Sequence, residues 1–367
     1  MSAPEPRPGI MDIAPYVGGE SAIAGKRKAI KLSSNEGAFG PSPRAVIAYK
    51  KAAATLHRYP DGSATELRKA IAARHGLDPE RVVCGAGSDE LLILMCKAYA
   101  GPGDEVLYTE HGFLIYPIAA KAAGATPVKV AEKKLTADVD ALLKRAGGNT
   151  RLLFLANPNN PTGTYLSADE LVRLRKGLPK HVILVIDAAY AEFVTHNNYS
   201  PGIELVGGGD NVVMTRTFSK IFGLGGARLG WAYCPAPIAH VLNLVRGPFN
   251  VSAPAMAAGL AALDDVAFTD KARAHNAVWR AWTRERLLEL GLEVPESACN
   301  FVLVRFPSAA GRDAKAADAF LKARGIIVRR VAAYGLPDSL RVTIGLEDEM
   351  RALVEALREF TKSWGSR

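Results

Sequence analysis

Apolar residues fall into two patterns along this chain. One is the helical stripe, in which apolar positions recur every three or four residues with charged ones between. Residues 65–75 show it, with Glu66, Arg68 and Lys69 on the outer side. Residues 88–99 show it too, with Ser88 predicted as the N-cap and Asp89 and Glu90 in the first turn. The same stripe covers 112–123, 270–289 and 348–362, and also 167–176, where Ser167 and Glu170 match a capping box.

The second pattern is the short unbroken apolar run, as in Val182-Ile183-Leu184-Val185-Ile186. Such runs predict strands over 105–109, 128–131, 151–156, 181–187, 212–216 and 229–234. Because they do not alternate polar with apolar, they suit a parallel sheet covered by helices on both faces. Ligands of such sheets collect beyond the carboxyl ends of the strands. A polar residue that closes an apolar strand is therefore a site candidate. Beyond about residue 265 the texture changes to a long helix, strands over 300–306, 326–331 and 340–345, and a last helix. This reads as a smaller α+β domain.

The chain has 367 residues, more than one core of roughly 100–200 residues needs. The expected division is an N-terminal arm over 1–35, a large domain over 36–265 and a small C-terminal domain over 266–367. Hydrophobic residues at 49% and charged residues at 23% are the balance of a soluble globular protein. No apolar run approaches the roughly 18 residues that span a membrane. The stretch from Pro4 to Pro8 lacks the apolar core of a signal peptide and reads as a loose tail. Cys84, Cys96, Cys234 and Cys299 form no CxxC pair, so the cytoplasm is the expected compartment. No metal-binding spacing occurs. The net charge of +9 is spread along the chain, its densest cluster being Lys26, Arg27, Lys28 and Lys31. That spread argues against a nucleic-acid partner. It leaves a solvated basic surface or attraction of an anionic substrate.

Chemistry concentrates at four places. Lys220 lies in Thr217-Phe218-Ser219-Lys220, followed by Gly223, Gly225, Gly226 and Arg228. Hydroxyls, backbone N–H groups and an arginine suit a phosphate, and an amine beside them suits Schiff-base chemistry. Asp187 closes an apolar strand; a buried carboxylate there needs a partner, either a nearby arginine or helix end, or a cationic ring nitrogen. Tyr190 follows on the same loop. Asn157-Pro158-Asn159-Asn160-Pro161-Thr162-Gly163 is a strong turn, yet it also presents Asn160 beyond a strand end. Gly85-Ala86-Gly87-Ser88 opens a helix and makes an anion cup, though glycines there also simply connect strand to helix. Neither glycine cluster has the spacing of a dinucleotide fingerprint.

Asn160-Pro161-Thr162-Gly163, Asp187 with Tyr190, and Thr217-x-Ser219-Lys220 with Arg228 occur in the order and spacing of fold-type I pyridoxal-phosphate (PLP) aminotransferases, which the chain resembles over nearly its whole length. Within that group it is similar to the histidinol-phosphate aminotransferase family. Ala14-Pro15-Tyr16, Leu32-Ser33-Ser34-Asn35-Glu36, Arg58-Tyr59-Pro60-Asp61-Gly62 and Leu340-Arg341-Val342-Thr343-Ile344-Gly345 carry this likeness. One departure stands out: Gly37-Ala38-Phe39-Gly40 replaces the family's usual Asn-Pro-Leu-Gly.

The resemblance implies an α/β fold, a mainly parallel seven-stranded sheet between helices with a smaller α+β domain. It implies PLP as a Schiff base on Lys220, and a ping-pong reaction from histidinol phosphate to 2-oxoglutarate, giving glutamate. Gly87, Ser88, Thr217, Ser219 and Arg228 would bind the cofactor phosphate. Asp187 would meet its ring nitrogen, Asn160 and Tyr190 its phenolic oxygen, and Phe113 its ring face. Tyr59 would reach the neighbouring subunit's phosphate, which implies a homodimer with shared sites. Arg341 would hold the amino acid's carboxylate, and Arg329 with Tyr16 the substrate phosphate. Surface ion pairs are the other reading of the two arginines. Phe39 keeps an aromatic amino-acid aminotransferase open, alongside a phosphothreonine decarboxylase. A regulatory PLP-binding protein would carry an added DNA-binding domain, for which residues 1–30 are too short.

Overall fold

The computed structural model describes residues 4–25, 28–362 and 364. Lys26 and Arg27 of the basic cluster lie outside them. Unbroken apolar runs become strands because helices cover both sides of the sheet they form. The strands up to the middle of the chain are β1 (Ile30–Lys31), β2 (Val82–Gly85), β3 (Glu105–Thr109), β4 (Thr126–Val130), β5 (Glu132–Lys133), β6 (Thr136–Ala137) and β7 (Thr150–Ala156). They continue with β8 (Ile183–Asp187), β9 (Val212–Thr217), β10 (Gly230–Tyr233), β11 (Phe301–Arg305), β12 (Ile326–Ile327), β13 (Arg329–Arg330) and β14 (Ser339–Thr343).

Seven of these make one sheet in the order β2-β10-β9-β8-β7-β3-β4. Only β10 runs against its neighbours. Successive residues of β8 point to opposite faces, and both faces are dry. Leu184 and Ile186 pack with Leu67 and Ile71 of helix Thr65–His75 and with Ala255 and Ala258 of helix Ala253–Asp264. Ile183 and Val185 pack with Leu91 and Met95 of helix Ser88–Tyr99 and with Tyr116 of helix Ile115–Ala123. The fold is thus the α/β sandwich expected.

A second sheet, β11-β14-β13, is antiparallel. Here one face is dry and the other chemical. Leu340 and Val342 of β14 meet Met350, Leu353 and Leu357 of helix Glu347–Lys362. Ser339, Arg341 and Thr343 point the other way, by the period of two. The register places Arg329 of β13 directly opposite Arg341. Two like charges facing each other across strands are unfavourable, and here each guanidinium is turned to other acceptors.

Several boundaries differ from expectation for identifiable reasons. Ser88 is the first helical residue, and Gly87 takes the cap position with φ +87°. The strand predicted over 326–331 splits between two sheets: β12 pairs with β1, and β13 with β14. Helix Val266–Glu289 starts earlier because Asp265 caps it, accepting from the Phe268 N–H at 3.3 Å. Ser167 caps its helix at 3.3 Å, but Glu170 turns to Arg173 at 2.8 Å instead of reaching back. The N-terminal stretch is no loose tail. Arg7 donates to the Ala122 carbonyl at 2.6 Å and Lys121 to the Asp12 carbonyl at 2.9 Å, laying it along helix Ile115–Ala123. Among the described residues no helix is long and apolar enough to cross a membrane.

Candidate active site

The carboxyl ends of β7, β8 and β9 lie side by side, with Ala156, Asp187 and Thr215 in register. Beyond them is a cavity of about 360 Å³. Its walls come from both sheets and from the residues after β1.

Asp187 forms the floor. It is buried, and it accepts from the Tyr116 hydroxyl at 2.9 Å and the Thr215 hydroxyl at 3.4 Å. No cation partners it among the described residues. Burial pushes its carboxyl up to about 6, against the lowering effect of the Tyr116 bond. Tyr116 was not anticipated as a site residue. It stands on helix Ile115–Ala123, while Phe113 precedes that helix, and no local spacing marked it.

Lys220 lies in a tight turn after β9. The Gly223 N–H donates to its carbonyl at 3.0 Å and the Leu224 N–H to that of Phe218 at 3.0 Å. Its amine reaches the cavity, 5.7 Å from the centre of the Tyr190 ring. Burial first, and the Arg341 charge second, lower its pKa to about 8. Tyr190 is buried, and its hydroxyl accepts from the Asn35 amide at 2.8 Å. Asn35, also unanticipated, has φ +54° and is held by Thr343 and by the Asn300 amide.

The anion cup is assembled around Arg228. This residue has φ +53° and donates to Ser219 Oγ at 3.2 Å and to Asp89 at 3.3 Å. Gly87 has φ +87°, a backbone conformation that side chains rarely adopt, and it leaves the Arg228 guanidinium room to lie against it. Thr217 Oγ1 accepts from the Ser219 N–H at 3.1 Å. Ser88 presents the first turn of its helix to the same space.

On the opposite wall, Arg341 donates to Asn160 Oδ1 at 2.6 Å and to the Ser33 carbonyl at 2.9 Å. It is buried, its Nε has no partner, and no carboxylate pairs with it among the described residues. The surface ion-pair reading of Arg341 is therefore excluded. Arg329 donates to the carbonyls of Val17 and Gly18 and does not line the cavity. It too makes no ion pair among the described residues. Tyr16 and Phe113 both line the cavity and meet edge to face at 6.1 Å.

Like Arg329, Tyr59 and Phe39 lie outside this chain's cavity. Tyr59 is 84% exposed, stacks on Phe249 at 4.7 Å, and is away from its own chain's cavity. Phe39 does not line the cavity either. It turns to the long helix, 4.6 Å from His275 and beneath the Lys271 amine. It thus gives no support to an aromatic substrate. Glu36 lines the cavity instead, tied to Lys31 at 2.7 Å.

A buried carboxylate closing a central strand, a lysine after the next strand and the Arg228 cup thus face one cavity. A profile of the family "Aminotransferase class I and II" matches residues 27–357, and the chain belongs to that family. Within it the chain is a member of the histidinol-phosphate aminotransferase family. The enzyme of that name from Paramagnetospirillum magneticum is 64% identical over 98% of this chain and 99% of its own. That from Rhodospirillum centenum is 60% identical over 99% and 100%. Among solved structures, the histidinol-phosphate aminotransferase of Sinorhizobium meliloti, in complex with pyridoxal-5'-phosphate, superposes with a TM-score of 0.89 at 30% identity, covering 99% of each chain. The aspartate aminotransferase of Thermus thermophilus shares the fold, with a TM-score of 0.81 at 23% identity over 91% of this chain and 92% of its own.

Proposed function

We propose that this enzyme moves the amino group of histidinol phosphate to 2-oxoglutarate, with pyridoxal 5'-phosphate held at Lys220. The observation that carries the reading is Asp187, a buried carboxylate without a cation, in one cavity with a lysine amine of lowered pKa. The residues fit the cofactor. Gly87, Ser88, Thr217, Ser219 and Arg228 would cup its phosphate, and Asp187 would accept from its protonated ring nitrogen. When bound, the cofactor supplies an aldehyde that captures amines and a ring that accepts an electron pair.

The chain's own groups supply the rest. Lys220 Nζ, its pKa lowered to about 8 by burial, takes the proton from the amine-bearing carbon of the substrate and later returns one. Asp187 would keep a positive charge stable at the ring nitrogen. Asn160 and Tyr190 would orient the cofactor's oxygen, and Phe113 would cover its ring. Arg341 holds the carboxylate of glutamate or 2-oxoglutarate by a two-pronged bond. Arg329 leaves the Val17 and Gly18 carbonyls to meet the substrate phosphate, with Tyr16 beside it. Exposed Tyr59 serves the neighbouring subunit of a homodimer, consistent with its distance from its own cavity. We read the two sheets as a large domain over 36–265 and a small one over 266–367, with residues 1–35 as an arm.

A single-turnover experiment tests the reading. Holoenzyme is mixed with histidinol phosphate, phenylalanine or tyrosine, and keto product is followed. Fast product from histidinol phosphate alone is expected. Fast product only from the aromatic amino acids would discard the phosphate assignment and keep the Lys220 and Asp187 roles.

A further inference from the structure

A second cleft, of about 500 Å³, lies apart from the Lys220 cavity and shares no lining residue with it. One wall is the outer face of helix Val266–Glu289, where Arg280 and Arg284 stand one turn apart. The other walls are the loop Gly163-Thr164-Tyr165 and the segment Glu296-Ser297-Ala298 that leads into β11.

Arg280 is the unusual member. It is half-buried and donates to the Cys299 carbonyl at 3.0 Å. No carboxylate lies within ion-pair distance of it among the described residues. Burial lowers its pKa from the usual arginine range, and the Glu296 charge, beyond ion-pair distance, offsets this only in part. Arg284 is little better matched: it donates to the Val294 carbonyl at 3.0 Å, and its nearest carboxylate, the exposed Glu296, stands 3.9 Å away. Two neighbouring guanidinium groups offer donors in the planar fork that suits a carboxylate. Across the cleft the half-buried Tyr165 ring stacks with His196 at 5.6 Å, and Leu288, one turn beyond Arg284 on the helix wall, adds an exposed apolar side chain. A flat apolar body between the walls would have an aromatic and an aliphatic neighbour.

We propose that this cleft is a second ligand site, taking a small carboxylate that carries a flat ring, with Arg280 and Arg284 on the carboxylate and Tyr165 against the ring. The walls are fixed to each other. The Ala298 N–H donates to the Gly163 carbonyl at 2.8 Å, and a Cβ on Gly163 would fall 2.3 Å from Ser297 Oγ. The site is therefore preformed. Its loop is also continuous with Asn160, which reaches the other cavity.

Fluorine NMR of the holoenzyme with 4-fluorobenzoate tests this. The probe also suits Arg341, so binding is measured in wild type, Arg280→Gln, Arg284→Gln and Arg341→Gln. A saturable site that survives Arg341→Gln and weakens about tenfold or more in Arg280→Gln or Arg284→Gln is expected. Binding lost in Arg341→Gln, or unchanged in both cleft variants, overturns the proposal. Displacement of the probe from the cleft by inorganic phosphate at equal concentration overturns the ring-bearing ligand class. The two cleft variants cover the case in which one fails to fold. The readout is binding, so it stands or falls separately from the substrate assignment above.

Discussion

The two sheets meet at one cavity but build their walls differently. The seven-stranded sheet offers residues just beyond its strands: Asn160 after β7, Asp187 at the end of β8, Lys220 after β9. Each stands in a compact local motif. The three-stranded sheet offers Arg341 from within a strand, by alternation, and sets Arg329 beside it by register. The first wall is made by loops on a rigid frame, the second by a cross-strand pairing that exists only once the chain has folded. On the proposed reading, the loop wall supplies the groups that act at the cofactor, and the strand wall supplies Arg341, with Arg329 held just outside the cavity by the Val17 and Gly18 carbonyls.

The largest effects are expected at the loop wall. Lys220→Ala should cut turnover by about 10⁴-fold, since the proton carrier is gone. Asp187→Asn should cost about 10³-fold, and Asp187→Glu far less. Asp187→Asn should also stabilise the cofactor-free protein. A carboxyl whose folded pKa is raised, here from 3.8 to about 6, adds stability below its unfolded pKa and loses it as pH rises. At pH 7 the charged Asp187 is a burden of up to about 3 kcal/mol, which asparagine removes. Urea unfolding at pH 7 should show the variant more stable by about 1–3 kcal/mol, the gap closing towards pH 4. Equal stability at both pH values, with mild loss of turnover, would contradict the role given to Asp187.

Intermediate effects should divide the strand wall by half-reaction. Arg329→Gln should lower kcat/KM for histidinol phosphate about 100-fold and change 2-oxoglutarate much less. Arg341→Lys should do the reverse, because lysine keeps the charge but loses the planar fork. Measuring each half-reaction alone separates them. If both variants damage both halves equally, the two arginines form one shared anion site and the division drawn here fails.

The contrast also explains what could be read from the chain. The β8 run, Asp187, the Lys220 turn and the Asn160 loop are contiguous, so local pattern exposed them. Arg329 and Arg341 were reached through family likeness, because residues 326–331 read as one strand and show nothing of their split between two sheets. Asn35 and Tyr116 were missed: each acts by holding another residue, 155 and 71 positions away. No spacing rule links such pairs. Phe39 left an aromatic substrate open in the sequence because its segment borders the site, while its ring turns away from the cavity.

The smallest effect is expected there. The backbone of residues 37–40 presses on the Lys220 turn: a Cβ on Gly37 would meet the Lys220 carbonyl at 3.2 Å, and one on Gly223 the Gly40 carbonyl at 2.1 Å. The Phe39 ring lies outward, against His275 and Phe268. Phe39→Leu restores the residue type usual in relatives and removes ring packing, not a substrate contact. Stability should fall by about 1 kcal/mol, while the ratio of kcat/KM for histidinol phosphate to that for phenylalanine stays within about twofold. A shift of that ratio by tenfold or more would place the ring at the substrate after all. It would also show that the segment between the two walls sets specificity, rather than only bracing Lys220.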